Sequence, residues 1–123
     1  MVGRIEKTIE FYGEIVARFR DEKCKERYAE CRNLVKRTEF EIIEALIKSG
    51  LRIEELGVTS EFKGSNTLVK VTSGLPDWIL DEDDVQDIVI EVYANDMEKV
   101  REITDMVEMI MKRNLARWEL ANS

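Results

Sequence analysis

The 123-residue sequence has no histidine, one proline, six glycines and two cysteines. Without histidine, the commonest general base and the commonest metal ligand are missing. Two cysteines with no Cys-x-x-Cys pair fall short of a tetrahedral zinc site. There is no Gly-rich phosphate loop and no Gly-x-Ser-x-Gly elbow, and no motif for any other cofactor. No apolar run approaches the roughly 20 residues of a membrane helix. The first residues, Met-Val-Gly-Arg-Ile-Glu-Lys, lack the apolar stretch of a secretion signal. The expected setting is the cytoplasm, away from membranes.

Apolar residues make up 44% of the chain, enough for one hydrophobic core, and the length fits a single domain over residues 1–123. Charged residues make up 37%, well above the roughly 25% of an average soluble protein. Such an excess is typical of proteins that work hot, where desolvating an ion pair costs less. The charge is uneven. Residues 1–50 hold 11 basic and 10 acidic groups, and residues 51–123 hold 8 and 16. The acidic second part argues against nonspecific nucleic-acid binding there, because phosphate contacts need cations.

The spacing predicts an α+β fold with a helical half over 1–50, a sheet over 51–94 and a C-terminal helix over 95–120. Ile5, Ile9, Tyr12, Val16 and Phe19 recur at steps of 4, 3, 4 and 3, a helical stripe. A second stripe runs through Cys24, Tyr28, Cys31, Val35, Thr38, Ile42 and Ala45. The step from Phe19 to Cys24 implies either a break near Arg20–Lys23 or a helix that runs on and changes partners, and Thr38-x-x-Glu41 has the form of a capping box, so two to three helices are expected. Ser49-Gly50 closes that half. Residues 56–72 alternate around the turn cluster Gly64-Ser65-Asn66 and predict a hairpin, and Asp87–Tyr93 predicts a further strand. That makes a three-stranded antiparallel sheet, with helices over one face. Asn95 and Glu98 look like the start of the last helix, whose stripe is Val100, Ile103, Val107, Ile110, Met111, Leu115 and Trp118.

Several groups of residues carry functional readings. Cys24, Tyr28, Cys31 and Val35 form a seam that fits a homodimer interface and an intramolecular helical hairpin equally well. On a continuous helix the two cysteines would stand about 10 Å apart, too far for a disulfide, so they read as two buried small groups. Arg18, Lys25, Arg32 and Lys36 fall on one helix face and could follow phosphates. Interleaved acids at i,i+4 make a self-paired, solvated face the better reading. The stretch Leu75–Asp84 joins Trp78, Ile79 and Leu80 to Asp81, Glu82, Asp83 and Asp84. It reads as a loop anchored by a buried Trp78, or as a docking loop for another protein. A Mg²⁺ site at Asp81–Asp84, or a carboxylate-only enzyme built on those acids, is a further alternative, without the spacing of a calcium loop. Taken together, the residues point to a non-enzymatic domain that self-associates or docks on a protein partner.

Overall fold

The computed structural model describes residues 4–9, 13–18, 24, 26–73 and 87–121. Eight elements follow in order: β1 Arg4–Ile9, β2 Gly13–Arg18, α1 Tyr28–Lys48, β3 Arg52–Glu55, β4 Thr59–Gly64, β5 Thr67–Ser73, β6 Asp87–Ala94 and α2 Met97–Ala121. The six strands form one sheet in the order β1-β2-β6-β5-β4-β3, every neighbouring pair antiparallel. The α+β class stands. The three-stranded sheet and the helical half over 1–50 do not, because residues 4–9 and 13–18 are two strands of a six-stranded sheet and two helices are present among the described residues.

The physical reason lies in the faces. Ile5 pairs with Ala17, and Ala17 with Ile88; Ile15 pairs with Ile90. Those residues alternate along their strands onto the face that the helices cover, where Ile15, Ala17, Ile88 and Ile90 are fully buried. Gly13 belongs to the same arrangement. A side-chain carbon at Gly13 would lie 2.5 Å from Val100 and 2.7 Å from Thr104, so α2 rests directly on the end of β2. Lys7 ties β1 to α2 through ion pairs with Asp105 and Glu108.

From β2 the chain crosses through α1 to the far edge of the sheet. It then returns strand by strand until β6 pairs with β2. Rows of inward residues run across this meander: Val92, Val69, Phe62 and Ile53 are successive partners on β6, β5, β4 and β3. The first three are fully buried, whereas Ile53 is 45% exposed. The core therefore ends between β4 and β3.

Both helices apply their stripes to this face. On α2 the buried set is Val100, Ile103, Thr104, Val107, Ile110, Met111, Asn114, Leu115 and Trp118. Its cap is Asp96, whose carboxylate accepts from the Glu98 backbone N–H at 2.8 Å, one position later than the Asn95 cap that the spacing predicts. On α1 the buried set is Cys31, Val35, Thr38, Ile42 and Leu46. Thr38 is inside the helix and starts nothing: its hydroxyl donates to the Leu34 carbonyl at 2.7 Å. The helix ends at Lys48, and Gly50, at φ +94, turns the chain toward β3.

The cysteine reading is corrected too. Cys24 and Cys31 form a disulfide with a Cα–Cα distance of 5.2 Å, and both are fully buried. The 10 Å separation assumed an unbroken helix. Arg27 has a non-helical φ of −118 and stands as a turn just ahead of α1, so Cys24 folds back within reach.

Candidate docking surface

The two helices lie side by side on the sheet. α2 covers β1, β2 and β6, and α1 packs against α2 and also touches β6. Residues of α1 therefore divide among three faces. Ile42 and Leu46 point into the core. Thr38 and Glu41 face α2, where Asn114 and Arg113 meet them. About 100–160° round the helix from Ile42, away from α2, stand Ile43, Ile47 and Phe40.

That third face is apolar and open. Phe40 is 68% exposed and Ile47 44%, while Ile43 packs partly on the core. Further along the chain, the edge strand β3 and the turn after it expose Ile53, Leu56 and Val58. Val58 is held in place by its carbonyl, which accepts from the Ser73 N–H at 3.2 Å. Among the described residues eight large hydrophobic side chains are exposed, and five of them fall between Phe40 and Val58, on the second half of α1 and on and just after the edge strand β3. Scattered singly such residues need no account; five within nineteen residues of chain make this stretch the candidate interaction surface.

The backbone edge itself is guarded. β3 has four residues, three of them charged, and a bulge between Ile53 and Glu55. Short, charged, bulged edges resist strand addition, so the side chains and not the ladder are what this edge offers.

Between the helices lies a polar network. Asn114 donates to the Thr38 hydroxyl at 2.9 Å and to Glu41 at 3.1 Å. Glu41 also accepts from Arg113 at 2.7 Å and from Arg37 at 3.3 Å. Partial burial pushes the Glu41 carboxyl up. The bonds from Arg113 and Asn114, the charge of Arg113 and the bond from Arg37 outweigh it, and its pKa ends below the ordinary glutamate value. Such a carboxylate is held ionised and fully engaged, which suits a structural tie and not a proton shuttle.

The residues singled out by sequence fall in different places. Cys24, Cys31 and Val35 are buried in the chain's own core and Tyr28 is half-buried, so three of the four seam positions are engaged internally. Arg18 is not on a helix: it stands in β2 on the sheet face opposite the helices, paired with Asp87 at 2.9 Å and Glu6 at 3.5 Å. Arg32 and Lys36 lie on α1. Lys25 and the whole set Trp78, Ile79, Leu80, Asp81, Asp83 and Asp84 lie outside the described residues. Among the described residues no cluster of three metal-binding side chains occurs, and no helix is long and apolar enough to cross a membrane.

Phe40 and Ile47 were missed by the stripe through Thr38, Ile42 and Ala45. The signal was present as a second series, Phe40, Ile43 and Ile47, at steps of 3 and 4. Together with Ile42 and Leu46 it gives the last three turns of α1 an apolar arc wider than one sheet face can cover. No family model matches the chain, and neither a curated protein nor a solved structure does.

Proposed function

We propose that this chain is a non-catalytic association domain that meets a protein surface, a second copy of itself first, through the outer flank of α1 and the β3 side of the sheet. The exposure of Phe40 and Ile47 on the outer flank of α1, and of Ile53, Leu56 and Val58 on and just after the edge strand β3, carries the reading. Burying a side chain of this kind is worth about 1.5–3 kcal/mol, so five together supply a substantial drive to associate. The absence of histidine from the sequence supports a role in binding over one in proton transfer.

Size-exclusion chromatography with light scattering tests it. The wild-type chain should run as a dimer whose population rises with concentration, and Phe40→Glu should run as a monomer with unchanged thermal stability. A wild-type monomer at all concentrations up to the millimolar range would reject self-association. A dimer indifferent to Phe40→Glu would move the interface elsewhere. The association reading is preferred to the nucleic-acid one because Arg18 stands apart from Arg32 and Lys36 on the other face of the sheet and pairs with Glu6 and Asp87.

A further inference from the structure

The contacts between α1 and α2 form an antiparallel ladder: Ser49 meets Met106, Glu41 meets Arg113, and Thr38 meets Asn114. Each of these rungs is chemically matched. One turn further toward the start of α1 the matching stops. There the helices part around a cleft of about 310 Å³, and Arg37 from α1 and Arg117 from α2 both line it.

This rung joins like charges. Arg37 shares Glu41 with Arg113 and Asn114, so one carboxylate already serves two guanidinium groups. Among the described residues Arg117 stands in no ion pair. Glu30 also borders the cleft, but its charge is taken up by Arg27. The lining therefore holds two arginines and one glutamate, in a chain whose net charge is −7. The floor is different in kind. Leu34, Ala121 and Trp118 supply it, and the indole, 5% exposed, is fixed from another side by the Arg27 guanidinium 5.6 Å from its ring centre.

We propose that this cleft binds a small organic acid, with its carboxylate between Arg37 and Arg117 and an aromatic or branched apolar body on Leu34 and Trp118. Two guanidinium groups that line one cleft are stabilised by an anion between them, and arginine's planar fork suits a carboxylate. The volume admits a body of one or two rings and no macromolecule. This site shares no residue with the association surface, so the two readings stand or fall separately.

The test is a titration with 1-naphthoate, followed by NMR at the Trp118 indole N–H in a Trp78→Phe background, where it is the single indole left. Its neutral isostere 1-naphthamide is the control. A saturable shift with naphthoate is expected, with about tenfold weaker binding by the amide and about tenfold loss in Arg117→Gln. Arg117 is exposed and unpaired, so that variant keeps its fold and any loss reports on the ligand. No saturable shift, equal binding of acid and amide, or full affinity in Arg117→Gln would each overturn the proposal.

Discussion

Asn114 on α2 donates a 2.9 Å hydrogen bond to the hydroxyl of Thr38, 76 residues earlier on α1, and both residues are wholly buried. The Thr38 hydroxyl passes its own proton to the Leu34 carbonyl, so it acts as acceptor toward α2 and donor within α1. The Asn114 carbonyl oxygen is buried without a protein partner. The tie fixes how the helices are set side by side, at the cost of one unsatisfied acceptor.

Asn114→Leu should therefore lower stability by about 1–3 kcal/mol, since it strips partners from Thr38 and Glu41. The double variant Thr38→Val with Asn114→Leu should recover part of that loss, because two apolar side chains can face each other without an orphaned group. Urea denaturation of the three proteins reads the difference, and a double variant no better than the single would show that Thr38 does not matter to the tie.

Glu41 gives the fold a dependence on acid. Its folded pKa lies below the unfolded value, which is about 4.3 for a free glutamate. A group depressed in this way stabilises the native state fully above the unfolded value and loses that contribution as pH falls through the folded one. Melting temperature should fall on acidification below about pH 4.3, and Glu41→Gln should flatten that limb while lowering the plateau at neutral pH. Parallel pH profiles for the two proteins would remove Glu41 from the account.

The disulfide joins residues only seven apart, and the entropy it removes from the unfolded chain is worth about 2 kcal/mol. Cys24→Ala with Cys31→Ala should lower stability by about that amount. Because both cysteines are fully buried, a mild reductant should act on the wild type slowly under native conditions and quickly in denaturant. Thiol labelling with time distinguishes the two, and fast native reduction would mean that the start of α1 opens readily.

Gly13 is a contact as well as a strand residue. Gly13→Ala should cost about 1–3 kcal/mol by pushing α2 off the sheet, the usual range for overpacking. Trimming the opposing side chain, as Gly13→Ala with Val100→Ala, should return part of it, because Val100 is the nearer of the two atoms met. A chemical melt in which the single variant matches wild type would show that the helix can shift without loss.

Much of the second half was legible in the sequence, since its signals are local. The α2 stripe from Val100 to Trp118 is continuous over many turns, and Asp87–Tyr93 alternates with one face of Ile88, Ile90 and Val92. The first part misled for a physical reason. Over fifteen residues, Ile5, Ile9, Tyr12, Val16 and Phe19 satisfy a helical period, yet the chain alternates inward at Ile5, Ile15 and Ala17 across a reversal between β1 and β2. What decides between the periods is β6, which pairs with β2 from over seventy residues away and cannot be read in any local window. Thr38 and Glu41 have the spacing of a cap, but their partners sit on α2. The candidate docking surface shows the same limit. Phe40 and Ile47 are visible as apolar, but their exposure depends on where the sheet ends.

The pairing of β2 with β6 also sets an order of events. β1 and β2 are synthesised before β6, and their inner face finds no complete seat until residues 87–121 exist to supply β6 and α2. Until then Ile15 and Ala17 have nowhere to hide, and the middle strands can form a meander without them. Closure of so distant a pair makes the last step slow, in the millisecond-to-second range typical of sheets rich in non-local contacts. A nascent chain halted before β6 should therefore carry a sticky beginning, and a chaperone that shields it would act on the strands written first and docked last.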